Sequence, residues 1–169
     1  MNKKIGVYIC SGCEIGKSLD IEKLCKLASS EQNVAVCKSH KSLCSIEGFD
    51  IINNDIQNEE IEKVVIAACS PRAKTEVFDF PENILIERTN IREQVAWCME
   101  PEVEDTQMAA EDYLKMGITR VNTTSLPESY KIENISSEIL VVGGGITGII
   151  AALDGADAGY TVHLVEKEK

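Results

Sequence analysis

The apolar positions fall into two alternating kinds of run. Ile5-Gly6-Val7-Tyr8-Ile9, Val34-Ala35-Val36-Cys37, Val64-Val65-Ile66-Ala67-Ala68 and Ile84-Leu85-Ile86 are short and continuous. They lack polar alternation, which predicts buried strands of a parallel sheet. Between them the spacing changes to that of helices. Ile21, Leu24, Cys25 and Ala28 form a stripe behind Asp20, a good N-cap. Ser45 is placed to cap a helix reaching about Asn53, with Ile46, Phe49 and Ile52 on its apolar side. Pro71 suits the first residue of another helix. A helix from about Asn90 places Ile91, Val95 and Cys98 on one face and ends at Pro101. A further helix is predicted from Thr106 to Met116, with Ala109, Ala110, Tyr113 and Leu114 inward and Gly117 as its stop.

Strands alternating with helices predict an α/β fold, a parallel sheet with flanking helices. Residues 1–120 are expected to form this domain. Residues 121–137 lose periodicity, as in Thr123-Thr124-Ser125-Leu126-Pro127, and read as a linker. A new unit then occupies 138–169. The strand Glu138–Val142 is followed by Gly143-Gly144-Gly145-Ile146-Thr147-Gly148. A helix from Ile149 to about Ala158 and a strand Thr161–Val165 complete a β-α-β.

Gly143-x-Gly145-x-x-Gly148, between a strand and a helix, has the context of a dinucleotide fingerprint. Glu166 ends the next strand, 18 positions after Gly148, where an acid meets a ribose hydroxyl. One β-α-β is an incomplete Rossmann unit, so a piece of a longer protein is expected.

Composition narrows the chemistry. The chain has 169 residues, 44% apolar, and a net charge of −11. Such an acidic balance disfavours a nucleic-acid surface or an anionic membrane. The first apolar run is too short for a signal peptide, and no run approaches a membrane span. The expected location is the cytoplasm. Seven cysteines, an odd number, do not suggest a disulfide framework there.

The cysteines sort by position. Cys25 lies on a helix stripe and is expected to pack in the core. Cys10 and Cys69 fall at the carboxyl ends of parallel strands, Cys13 in the loop after Cys10, and Cys44 in a strand-to-helix connection. In open α/β sheets ligands collect at that edge. Cys98 and Cys37 are substitutes within reach. Helix N-termini expected after Cys44 and Cys69 would aim N–H groups at the site. A cubane iron-sulfur cluster accepts such dispersed thiolates. A zinc site, a Cys10/Cys13 thiol-disulfide pair and unliganded cysteines also remain open. His40 and Arg72 flank the site in sequence. Trp97 and the acidic stretch from Asn53 to Glu62 read as packing and a solvated face.

At Ile5–Cys13, Cys44-Ser45, Val65–Arg72, Asn90–Gln94, Asp105–Met108 and Val141–Gly148 the chain resembles the N-terminal part of the heterodisulfide reductase family, in its A-type subunits. Its Cys10-Ser11-Gly12-Cys13 form is similar to relatives in the quinone-interacting membrane-bound oxidoreductase complex. The resemblance implies an FAD and iron-sulfur oxidoreductase component that passes electrons among partner subunits. It implies a [4Fe-4S] cluster on Cys10, Cys13, Cys44 and Cys69, and FAD in the full-length protein against Gly143, Gly145, Gly148 and Glu166. The expected role is electron transfer rather than the catalytic centre. The expected partners are the other subunits of such a complex, and a second copy of the chain. A zinc-stabilised interaction module stands as the alternative, beside the thiol-disulfide reading.

Overall fold

A computed structural model describes residues 4–130 and 136–168. The chain divides into two compact units, Met1–Pro127 and Glu128–Lys169. Residues 131–135 of the expected linker lie outside the described residues.

The first unit is the predicted parallel α/β sheet. Its strands are β1 (Lys4–Cys10), β2 (Val34–His40), β3 (Ile61–Ala68) and β4 (Leu85–Asn90), in the order β2-β1-β3-β4 with every pairing parallel. β1 and β3 are central and buried on both faces, which is why they read as unbroken apolar runs. The sheet has two covered faces. Tyr8 on β1 reaches Asp55 of α3 (Ile46–Asn58), its hydroxyl donating at 3.1 Å. Val65 faces the other way, toward Gly117 of α4 (Glu104–Thr123). Between β1 and β2 come α1 (Ile15–Ser18) and α2 (Ile21–Ser30). α2 packs on β2 and β1 and touches α4.

The caps are where the sequence puts them. Asp20 accepts the N–H of Lys23 at 2.9 Å, and Ser45 accepts that of Gly48 at 3.2 Å.

Several boundaries differ for physical reasons. β2 continues beyond the apolar run, through Lys38-Ser39-His40, because a ladder with β1 extends to Cys10 opposite His40. α3 continues to Asn58 through part of the acidic stretch. Asp55 there is buried, accepting from Tyr8 and from Lys38 Nζ at 2.6 Å, so it is not a solvated carboxylate. Ile46, by contrast, is exposed. No helix follows Pro71: residues 71–77 are turns. Gly117 does not stop α4. A Cβ there would sit 2.2 Å from Thr89 Oγ1, so glycine lets the helix lie against β4. α4 instead runs to Thr123, three residues into the expected linker, where the buried Lys63 ammonium donates to the carbonyls of Val121, Asn122 and Thr124.

The second unit holds β5 (Glu138–Val142), α5 (Ile146–Asp157) and β6 (Thr161–Val165), with β5 and β6 paired in parallel. α5 begins three residues earlier than expected, with Gly145 as its N-cap. Among the described residues, no helix is long and apolar enough to cross a membrane.

Candidate iron-sulfur site

The strand order β2-β1-β3-β4 makes connections from β1 and β3 leave in opposite directions. Between their carboxyl ends lies a switch point, the usual ligand crevice of such sheets. Cys10 is the last residue of β1 and Cys69 the first after β3. Cys13 follows in the β1 connection and Cys44 in that of β2. The four candidate thiols therefore share one edge.

Two loops meet there closely. Gly12 lies against the Lys41 carbonyl, which a Cβ on residue 12 would approach to 2.1 Å. This contact brings the Cys10–Cys13 loop against the segment carrying Cys44. His40 Nδ1 accepts the N–H of Ser42 at 3.1 Å and shapes that segment. Cys13 and Glu14 both have left-handed backbone, φ 50° and 71°, a costly conformation for non-glycine residues that clusters at functional sites.

Burial pushes the Cys10 thiol up, and its neighbours Cys13 and Cys44 push the same way. The backbone N–H groups of Leu43 and Gly12 oppose them by stabilising the thiolate. Arg92 is raised chiefly by its bond to Glu93. Cys13 and Cys69 push it the same way. Helix α3 starts just after Cys44, so its positive end lies beside the site. The second expected helix terminus, after Cys69, is absent, and Arg88 supplies donors in its place. Its Nη2 lies 3.3 Å from both Cys69 Sγ and the Cys69 carbonyl, and 3.1 Å from the carbonyls of Ser70 and Ala73. The guanidinium stacks over Phe78 with its carbon 4.5 Å from the ring centre.

The β4 connection closes the edge. Residues Arg92–Ala96 form a short π-helix, wider than a regular helix and ending well before Pro101. Glu93 pairs with Arg92 at 2.6 Å and accepts the Ser70 N–H at 2.8 Å, tying this turn to the Cys69 loop. Trp97 Nε1 donates to the Cys13 carbonyl at 3.1 Å, and Arg92 lies over the indole at 4.4 Å. Trp97 is half exposed, so it is a site tether rather than core packing. Cys98 is exposed, its thiol turned to the Val95 carbonyl at 3.7 Å, because one wide turn does not carry the inward stripe of a regular helix.

Sequence spacing does not single out Arg88, Arg92 or Glu93. Their signal is positional: a fourth parallel strand must end at the same edge as the other three. Arg72, which flanks Cys69 in sequence, lines a cleft of about 580 Å³ beside Ser70 and Arg120.

Among the described residues, no three His, Cys, Asp or Glu side chains stand close enough to hold a single metal ion. A zinc ion at about 2.3 Å from each sulfur needs its ligands almost in mutual contact. A cubane carries its four irons at separate corners, so its thiolates stand farther apart. The donor set is also right for it: thiols from three connections, main-chain N–H groups and two guanidinium groups. The residues fit a cluster.

In the second unit Gly143 has φ 105°, and a Cβ on Gly148 would meet the Gly143 carbonyl oxygen at 1.9 Å. No atom lies within 4 Å of a Cβ placed on Gly145, which leaves its backbone open to a ligand. Glu166 accepts the N–H of Gly144, of Lys167 and of Glu168. Those N–H groups hold its carboxyl below the usual range.

No family model matches the chain. Curated relatives do. The chain is 36% identical over 98% of its length to an A-type iron-sulfur subunit of the CoB–CoM heterodisulfide reductase of Methanopyrus kandleri, covering 26% of that protein. It is 37% identical over 97% to a protein of Archaeoglobus profundus named as like the A-type subunit of heterodisulfide reductase, covering 24%. It is 36% identical over 97% to the A-type subunit of the hydrogen-dependent CoB–CoM heterodisulfide,ferredoxin reductase of Methanothermobacter marburgensis, covering 26%. The chain spans about a quarter of the length of the curated relatives it matches.

Proposed function

Because this chain matches a fragment of the heterodisulfide reductase family's A-type subunits, we propose that its first unit is the electron-transfer part of such an oxidoreductase. Cys10, Cys13, Cys44 and Cys69 would hold one [4Fe-4S] cluster. The observation that carries this reading is geometric. Cys10 ends β1 and Cys69 follows β3 at the carboxyl edge, and Gly12 packs on the Lys41 carbonyl, which brings the Cys10–Cys13 loop against the segment that carries Cys44. The Methanopyrus relative is named as an iron-sulfur protein, which agrees with it.

The cluster supplies one-electron chemistry when bound. This chain's residues do the rest. Four thiolates ligate, and main-chain N–H groups of Gly12 and Leu43 offset negative charge at Cys10. Arg88 donates to the sulfur of Cys69. Trp97 and Arg92 cover the Cys13 side. No acid or base is required of the protein.

The second unit is the start of an FAD domain on this reading. Gly143, Gly145 and Gly148 would meet the pyrophosphate at the α5 N-terminus, with Glu166 near the ribose. The exposed apolar side chains of Val142, Ile146 and Leu153 are faces that a complete dinucleotide domain covers. Domain limits of 1–120 and 138–169, cytoplasmic location and partners among the other subunits of a heterodisulfide-reductase-like complex belong to the same proposal.

Metal, acid-labile sulfide and the visible spectrum of anaerobically purified protein test it. A brown chain with equal iron and sulfide is expected. A colourless, zinc-loaded chain would overturn it.

A further inference from the structure

Arg88 stands on β4 opposite Ile66, and Ile66 stands opposite Tyr8 of β1. Residues opposite one another share a sheet face, so Arg88 lies on the face of Tyr8 and α3. Its neighbour Glu87 stands opposite Val65 and lies on the α4 face. The pleat thus separates the two charges, and Glu87 pairs instead with Arg120 of α4 at 3.4 Å. Among the described residues no carboxylate pairs with Arg88. Arg92, the other guanidinium at this edge, is offset by Glu93 at 2.6 Å.

The Arg88 side chain is held in place without a counter-charge. Its guanidinium lies over the buried Phe78 ring. Nη2 serves four acceptors: Cys69 Sγ and the Cys69 carbonyl at 3.3 Å, and the Ser70 and Ala73 carbonyls at 3.1 Å. Nε is buried with no partner among the described residues. Burying an unpartnered N–H is destabilising, so stability alone does not account for this pose. Its result is an unneutralised positive charge hydrogen-bonded to the sulfur of Cys69.

We propose that Arg88 is a positioning residue that raises the reduction potential of the four-thiol site through Cys69. This rests on the cluster reading given above. Reduction there adds one electron and one negative charge, with no bond broken and no proton taken up. A cation hydrogen-bonded to a ligand sulfur stabilises the more negative state. Arg92 contributes less, because Glu93 cancels its charge. The three carbonyls keep the Arg88 guanidinium from turning away to solvent.

An anaerobic redox titration of the whole chain tests this, with dithionite as reductant and the reduced-cluster resonance as readout. Arg88→Met should lower the reduction equilibrium constant about ten-fold, a fall of about 59 mV for one electron. Arg72→Met is the control. It removes the same charge three positions from Cys69, from an exposed side chain with no printed bond to sulfur among the described residues. It should stay within about two-fold of wild type, as expected for a solvent-screened charge. An unchanged potential in Arg88→Met, or an equal shift in Arg72→Met, would overturn the assignment. Where Arg88→Met folds without a cluster, Arg88→Gln is read in its place, with a fall in the same direction expected. Loss of the cluster from both folded variants would make Arg88 a retention residue and overturn its assignment to the potential. A wild-type chain that holds no cluster would instead overturn the reading beneath it, so the two failures are distinct.

Discussion

The carboxylate of Glu93 accepts the backbone N–H of Ser70 at 2.8 Å. That single bond joins the turn after β4 to the loop that carries Cys69. Burial raises the Glu93 carboxyl, but Arg92 and the Ser70 N–H outweigh it and hold it below the usual range. A lowered folded value means the contribution is full above the unfolded value of about 4.3 and is lost as pH falls through the folded one. Glu93→Gln should therefore cost about 1 kcal/mol at neutral pH, discounted for the partial exposure of the pair. It should also flatten the acid limb of the stability profile. Urea unfolding between pH 7 and pH 3 measures both.

Gly12→Ala should disrupt the site without touching a sulfur. The added methyl would stand 2.1 Å from the Lys41 carbonyl oxygen, a backbone atom that cannot swing aside. The Cys10–Cys13 loop must then move away from the Cys44 segment. Overpacking of this kind costs about 1–3 kcal/mol. The expected signature is a drop in bound iron larger than the drop in stability alone explains, read by metal analysis of the folded fraction.

Tyr8→Phe tests the buried network beneath the sheet. Burial, with the nearby Asp55 charge, raises the Tyr8 hydroxyl far above its ordinary value. Its stabilising contribution is full below the unfolded value of about 10 and is lost as pH rises above that. Wild type should show an alkaline loss of stability that Tyr8→Phe lacks. The substitution itself should cost about 1–2 kcal/mol, since Asp55 keeps Lys38 at 2.6 Å. Thermal unfolding at pH 8 and above pH 10 separates the two effects.

Lys63→Met removes the ammonium that closes α4. The carbonyls of Val121, Asn122 and Thr124 lose their shared donor. A loss of about 2–3 kcal/mol is expected, with faster amide exchange confined to the last turn of α4. Uniform exchange along the helix would contradict that role.

Much of this was legible in the sequence because burial leaves a plain mark. β1 and β3 are central strands, so their apolar runs are unbroken, and Asp20 and Ser45 cap by local chemistry alone. The shared edge of Cys10, Cys13, Cys44 and Cys69 followed from strand direction. What stayed hidden depended on partners far along the chain. Asp55 looks solvated until Tyr8 and Lys38 are seen around it. Gly117 looks like a stop until Thr89 is seen against it. The wide turn at Arg92–Ala96 has the same apolar spacing as a helix start, so Cys98 was expected inside. Arg88 and Trp97 carry no local signal, since a cation or an indole tethers loops only once the loops are brought together. Cys25 packs against the core, as its place on the α2 stripe implies.

The central claim is that Cys10, Cys13, Cys44 and Cys69 together hold one cubane cluster. Anaerobic electron paramagnetic resonance of the dithionite-reduced chain, with each cysteine changed to Ser in turn, tests it most directly. The account predicts a reduced-cluster signal with about four irons per chain. That signal is lost or altered in each of those four variants and unchanged in Cys25→Ser, Cys37→Ser and Cys98→Ser. A signal that survives loss of Cys44 or Cys69, or that disappears with Cys98, would contradict it.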